Sequence, residues 1–333
     1  MPDGPISEAI VFSRPGRLDR RRARLRAPRA DEVLVDVEGS GISTGTERLL
    51  WRGTMPTFPG LGYPLVPGYE AVGTVREAGR ESPVAVGARV FVPGTDRWEE
   101  GLRGLFGASA STLLVEARRV APIGDLPAER GVALALAATA MHTLSVRAAR
   151  ARPDAPPALA ALAAAAPELI VGHGALGRLL ARIVVALGAP PPLVWETRAS
   201  RRDGALGYAV IDPADDEGGA RARVTDVSGA GGDHLDRLIA ALDRGGRLTL
   251  AGFYESPLAF SFPAAFRREV SLEVAAEWTP ADLAAVLALI EADALDLGGI
   301  VSDVRPAEEA EAAYARAFDD PHCLKMMLRW STP

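Results

Sequence analysis

The chain has one cysteine, Cys323. No disulfide can close within it, and every multi-cysteine zinc site is excluded. Lysine is equally scarce: Lys325 stands alone among 37 basic side chains, the rest being arginine. No run reaches the roughly 18 apolar residues that a membrane span needs. The most apolar low-complexity stretch, 155–166 "APPALAALAAAA", is too short and too weakly hydrophobic. No N-terminal stretch has the length and flanks of a signal peptide. These absences predict a cytoplasmic protein with no integral membrane segment, one that could still visit a membrane surface. The net charge of -6 and pI near 5.4 argue against a nucleic-acid binder. The local cluster Arg20, Arg21, Arg22, Arg24 and Arg26 reads as a solvated strand or turn face.

The 333 residues, 48% hydrophobic and 24% charged, suit a globular protein of about two domains. Up to residue 120, short strands alternate with glycine and proline: 8–12 "EAIVF", 32–37 "EVLVDV", 71–76 "AVGTVR", 88–92 "ARVFV", 112–116 "TLLVE". That spacing predicts a β-barrel-like unit. Residues 128–150 have a helical pattern. From 168 onward strand and helix alternate, which implies right-handed βαβ crossovers and a parallel sheet. Helices are expected near 233–242, with Asp233 as an N-cap, and near 281–292 and 307–318, with a closing strand near 324–330. The expected class is α/β, with domain one over 1–124, a dinucleotide-binding domain over 125–275, and a return to the first domain over 276–333.

The strongest motif is 168–177, "ELIVGHGALG", an apolar strand running into a glycine turn and an amphipathic helix. Gly172 permits the tight turn, Gly174 lets backbone approach a pyrophosphate, and Gly177 lets the helix pack on the strand. With His173, Ala175 and Leu176 these residues form the expected cofactor turn, and the helix start offers free N–H groups to phosphate. The next strand, "PLVWE", ends at Glu196, where a carboxylate would accept bonds from ribose hydroxyls and favour NAD over NADP. Arg198, Arg201 and Arg202 leave the 2′-phosphate alternative open. Ser228 and Gly229 in "VTDVSG", and Gly252 after "GRLTLA", fall at strand ends where such sheets bind ligands. His173 reads as a loop side chain beside the cofactor; His234 and His322 read as surface or capping residues.

This order resembles the medium-chain dehydrogenase/reductase superfamily over essentially the whole chain. The resemblance implies a GroES-like catalytic domain beside a Rossmann domain. Zinc members of that superfamily carry a cysteine after an "SGI" strand end and later a Gly-His-Glu. Here the stretches are 40–47 "SGISTGTE" and 68–70 "GYE", so Ser43 and Tyr69 replace two ligands and only Glu70 remains. No metal is expected, because a hydroxyl and a phenol are poor zinc ligands. Segments 40–50, 51–70 and 170–174, with 194–196, are similar to the branch that oxidises the 1-hydroxyethyl group of a chlorin or bacteriochlorin to acetyl with NAD.

Alcohol oxidation without zinc requires a general base or a hydroxyl relay. The candidates are Tyr69, His142, Glu70, Glu47, Ser43 and Thr46, with Thr44 beside them. Each has a plainer reading: Tyr69 and His142 as packed side chains, Glu70 as an ion-pair partner, Ser43 and Thr46 as helix caps. The loop 49–69 gathers rings in a chain that is only 6% aromatic. Trp51, Met55, Phe58 and Tyr63 either meet a flat tetrapyrrole face or cover the barrel. Superfamily analogy implies a homodimer. Two other readings stay open: a zinc-free quinone or enone reductase using NADPH, and a non-catalytic nucleotide- or tetrapyrrole-binding protein.

Overall fold

The structure is a computed structural model that describes residues 4–57, 59–99, 101–151, 157–230, 234–254 and 257–331. In chain order it holds β1 (Ile6–Arg14), β2 (Arg17–Arg24), β3 (Glu32–Ser43), α1 (Thr46–Arg52), β4 (Ala71–Ala78), β5 (Arg89–Val92), β6 (Thr112–Glu116), β7 (Ala121–Pro122), α2 (Ala128–Gly131) and α3 (Leu134–Ala151). There follow α4 (Leu159–Ala164), β8 (Leu169–Val171), α5 (Ala175–Ala186), β9 (Leu193–Trp195), β10 (Ala209–Ile211), β11 (Arg221–Asp226), α6 (His234–Ala240), β12 (Leu242–Leu250), α7 (Phe262–Arg268), β13 (Ser271–Val274) and α8 (Pro280–Glu291). The chain closes with β14 (Asp303–Pro306), α9 (Ala310–Asp319) and β15 (Lys325–Arg329). It divides into two compact units: residues 1–135 with 298–333, here the outer unit, and residues 136–297, the central unit. The divisions fall later than the 124/125 and 275/276 boundaries read from sequence. α2 packs on β4, and α8 still belongs with the parallel sheet.

In the outer unit β3 is the hub, pairing antiparallel with β4, β6 and β15 in a seven-stranded sheet. Its residues are almost all buried, with Asp36 and Glu38 the half-buried ones, so the strand is covered on both faces. The basic strand β2 pairs with β1 in a separate hairpin, and Arg20 to Arg22 are exposed, as a solvated face requires. Phe12 and Tyr314 meet edge to face at 5.3 Å inside the core.

The central unit carries six parallel strands in the order β10-β9-β8-β11-β12-β13. The order reverses between β8 and β11, the crevice where such sheets take ligands. Three features departed from the sequence pattern. The helical run 128–150 is interrupted at Val132 and Ala133, the low-complexity stretch, whose composition reads as a loop or helix extension, contains the separate helix α4, and α7, β13 and β14 have no counterpart in the pattern. β13 shows why: only one of its four residues is buried. Asp233, the expected cap of α6, lies outside the described residues.

α8 starts in a capping box. The Thr279 side chain accepts from the Asp282 N–H, and Asp282 accepts from the Thr279 N–H at 2.8 Å. The same carboxylate takes His142 Nδ1 at 2.9 Å and Ser145 Oγ at 2.5 Å, tying α8 to α3. Burial raises the Asp282 pKa, but the bonds from His142, Ser145 and Thr279 outweigh it and the net shift is downward. Asp282→Ala should cost about 2–3 kcal/mol in urea melts at pH 7. The wild-type advantage should be full above the ordinary carboxylate range and fade as pH falls through the lowered folded value. An unchanged midpoint at pH 7 would show that the box contributes nothing.

Candidate active site

The glycine turn after β8 is built as its spacing requires. Gly172 sits at φ 102, and a Cβ there would come within 2.9 Å of the Ser228 Cα. A Cβ at Gly177 would lie 1.9 Å from the Gly172 carbonyl oxygen. At Gly174, by contrast, the nearest atom to an added Cβ is Arg201 Nη1 at 4.0 Å. Two glycines are therefore demanded by the protein itself, and the third keeps open space beside the start of α5. Gly174 is the N-cap of that twelve-residue helix and offers no side chain to its first N–H groups. Open space, free donors and a nearby guanidinium fit a dinucleotide pyrophosphate. Ala175 is buried at this helix start and Leu176 is half-buried.

His173 is fully buried and holds the turn from behind. Burial, with a smaller push from Arg178, lowers its pKa to about 4 against the opposing pull of the Arg201 carbonyl and Glu196. The imidazole is therefore neutral: Nδ1–H donates to the Arg201 carbonyl at 2.6 Å, and Nε2 accepts from the Tyr208 hydroxyl at 2.9 Å. Glu196, at the end of β9, accepts from the backbone N–H groups of His173 and Arg198 at 3.0 and 2.9 Å. Arg202 is committed to Asp212 and to the Glu196 carbonyl, while Arg198 is exposed.

Asp226, at the end of β11, carries no earlier assignment and is a second hub. It is wholly buried and accepts from Ser228 N–H at 3.0 Å, Ser228 Oγ at 2.7 Å, His234 Nε2 at 2.8 Å and the Tyr254 hydroxyl at 2.7 Å. His234 is thus bonded to a buried carboxylate rather than free at the surface, whereas His322 is exposed. A Cβ at Gly252 would lie 2.7 Å from the Gly229 nitrogen. Ser228, Gly229 and Gly252 are therefore one packed rim at the carboxyl edge of β11 and β12.

The outer unit gathers Ser43, Thr46, Glu47, Tyr69 and Glu70 around the end of β3. The Tyr69 hydroxyl faces those of Ser43 and Thr46. Burial, then the charge of Glu70, pushes its pKa up, with the two hydroxyls pulling the other way. Its ring meets Phe106 edge to face at 5.6 Å. Glu47 is buried and accepts from the Ser43 N–H at 2.9 Å and from Tyr314 at 3.3 Å. Burial raises its pKa to about 7 despite the Ser43 bond and the charge of Lys325. Glu70 is ion-paired with Lys325, both fully buried. Thr44 turns away and donates to the Leu324 carbonyl at 3.2 Å.

These residues do not fit a zinc ion. The donors at the ligand positions are an alcohol and a phenol that burial keeps protonated, and the one carboxylate is already held by an ammonium. Among the described residues no group of three His, Cys, Asp or Glu could hold a metal.

His142 belongs to the central unit and Tyr69 to the outer one. Three of the ring-loop residues pack inward. Trp51 meets Phe12 at 5.3 Å, Met55 is part of the core, and Tyr63 donates to the Leu50 carbonyl. Phe58 lies outside the described residues. Sequence reasoning assigned no role to Asp226, Tyr314 or Lys325; the one available signal was that Lys325 is the only lysine.

Gly174→Ala should keep the wild-type melting temperature yet weaken dinucleotide binding at least tenfold in a fluorescence titration. Gly177→Ala should lower the melting temperature itself. Equal thermal losses in both variants would contradict the division of labour among these glycines.

The alcohol dehydrogenase GroES-like domain model matches residues 29–125. A "2-desacetyl-2-hydroxyethyl bacteriochlorophyllide A dehydrogenase" of Rhodobacter capsulatus is 47% identical over 324 residues, 97% of this chain and 98% of the relative. A Sinorhizobium meliloti protein described as a zinc-binding dehydrogenase, bound to NADP, aligns with a TM-score of 0.77 at 19% identity, over 98% of this chain and 99% of that one. An E. coli CFT073 alcohol dehydrogenase complexed with NADH aligns with a TM-score of 0.78 at 18% identity, over 98% and 100%. The chain belongs to the medium-chain dehydrogenase superfamily, in the family of the bacteriochlorophyllide dehydrogenases.

Proposed function

We propose that this protein oxidises the C3 1-hydroxyethyl group of a chlorophyllide or bacteriochlorophyllide to the C3 acetyl group, with NAD and without a metal. The observation that carries the substrate is the 47% identity over nearly the full length of a relative so named. NAD is favoured by Glu196, which closes β9 as a buried carboxylate, and by the engagement of Arg202 elsewhere. When bound at the glycine turn, the nicotinamide supplies a hydride acceptor.

The chain's own part is proton removal. Glu47 is the group of the outer cluster that gains and loses a proton near neutrality. Ser43, Thr46 and the half-buried Tyr69 are the hydroxyls assigned to the relay on the substrate side, and the hydroxyl bonded to Glu47 itself is that of Tyr314, at 3.3 Å. The alcohol loses a hydride from carbon and a proton from oxygen, and the proton ends on the Glu47 carboxylate. This assignment leaves His142 a role in tying α3 to the α8 cap. It leaves Trp51, Met55 and Tyr63 the role of a packed floor beneath the loop.

Incubation with a hydroxyethyl chlorin and NAD should shift the long-wavelength absorbance band while NADH appears. Turnover of quinone with NADPH alone would favour the reductase reading, and binding without turnover a carrier. Tyr69→Phe should lower kcat by about 10²-fold, as loss of a proton-transfer group does. In wild type the oxidation rate should rise with pH through a midpoint near 7, because the base must be ionised. A flat profile between pH 5 and 9 would remove Glu47 from this role.

We also propose a homodimer with cytoplasmic residence. No helix among the described residues is long and apolar enough to cross a membrane. β13 is an edge strand, and it exposes Leu272 at 38% and Val274 at 61%. Just before it in the chain, Phe262 and Phe266 of α7 are each 68% exposed, their tilted rings 5.7 Å apart. An apolar edge of this kind is normally covered. Light scattering should report twice the chain mass, and Val274→Lys should reduce it to one.

A further inference from the structure

In a chain that uses arginine at every other basic position, the single lysine lies where no solvent reaches. Lys325 opens β15, in register with Ser43 at the end of β3. Its Nζ pairs with Glu70 and lies 5.7 Å from the centre of the Tyr69 ring. The space is small. A Cβ at Gly41 would come within 3.0 Å of the Lys325 Nζ and Cε and 3.2 Å of Glu70 Oε2. A compact ammonium on a slender stem suits that space, and a planar guanidinium would need more of it.

We infer that Lys325 is a positioning residue for the proton transfer proposed above, on which this inference rests: its charge anchors Glu70 and offsets the negative charge that forms when Glu47 ionises. The titratable and charged groups facing Glu47 are Lys325 from β15, Glu70 and Tyr69 from the segment before β4, and Tyr314 from α9. Two carboxyls and two phenols thus share one cation. With Glu70 held as the ion-pair partner, Glu47 is the carboxyl left to exchange a proton. Lys325 lies opposite Ser43, whose N–H donates to Glu47 at 2.9 Å, so its charge favours the ionised form of Glu47 while that of Glu70 opposes it. The two neighbours therefore poise Glu47 from opposite sides, and removing either should move it in a known direction. Lys325 touches neither substrate nor dinucleotide in this scheme and acts only through the field it sets.

A single lysine makes the test direct. Protein labelled with ¹³Cε-lysine should give one lysine side-chain signal. That signal should move with a midpoint near pH 7 as Glu47 titrates, and the step should vanish in Glu47→Gln. A signal that does not move between pH 5 and 9, or a step that survives in Glu47→Gln, overturns the inference. This readout needs no turnover, so it decides even where Lys325→Met fails to fold. It also stands apart from the activity assay, in which a wild-type protein without turnover would sink the dehydrogenase reading instead. Where the variants are active, the acid limb of kcat/KM should move up by about one pH unit in Lys325→Met. It should move down in Glu70→Gln, with the KM for NAD unchanged in both. One pH unit corresponds to roughly a tenfold rate loss on the acid limb. Shifts in the same direction in both variants, or none, overturn it as well.

Discussion

Two carboxyls and one ammonium share a dry region of the outer unit, and that imbalance governs what the region can do. A buried ion pair contributes little net stability, but losing one partner strands an uncompensated charge and costs far more. Lys325 and Glu70 satisfy one another, so the cost falls on Glu47, whose burial works against ionisation. The same arrangement explains why the ligand positions of a zinc site can hold a serine and a tyrosine. With a fixed cation already beside Glu70, a divalent ion would bring further positive charge to donors that do not easily lose their protons.

The central unit solves a different problem, that of holding backbone rigidly where a phosphate must approach. Gly172 rests against Ser228, Gly177 against Gly172, and Gly252 against Gly229. Asp226 then locks the rim with four donated bonds from Ser228, His234 and Tyr254. A carboxylate so fully supplied with donors, its pKa lowered in spite of burial, is a structural anchor rather than a proton carrier. His173 does the same from behind the turn, and its low pKa keeps it neutral and out of the chemistry. The titratable groups of this unit serve geometry, and the group poised near neutrality belongs to the other.

The legibility of these features in the sequence followed the range of the interaction. The glycine turn was readable because each glycine answers a local need, a positive φ or a close approach within a few residues. The alternation of strand and helix after 168 was readable for the same reason. β13 was not, since an edge strand with one buried residue carries almost no hydrophobic pattern. α7 was missed because its phenylalanines face outward and mimic loop composition. The ring loop allowed two readings from its clustered aromatics, a ligand face or a cover for the barrel, and only the structure shows Trp51 and Tyr63 in contact with the unit's own core. Lys325 and Glu70 are 255 residues apart, and no periodicity connects them.

A metal-free route also makes chemical sense for the proposed substrate. In a simple alcohol, proton loss concentrates negative charge on the oxygen before the hydride departs, and a Lewis acid is worth several kcal/mol there. In a 1-hydroxyethyl tetrapyrrole the reacting carbon is bonded to a conjugated ring. The carbonyl that develops joins that conjugation, so part of the stabilisation is intrinsic to the substrate and less is asked of the protein. What remains is removal of one proton at a moderate driving force. A buried carboxyl whose pKa is raised to about 7, bonded to the Tyr314 hydroxyl and steadied by a single ammonium, is matched to that task. A substrate whose product carbonyl is conjugated asks least of such a base, which ties the chemistry of the buried cluster to the class of substrate proposed for it.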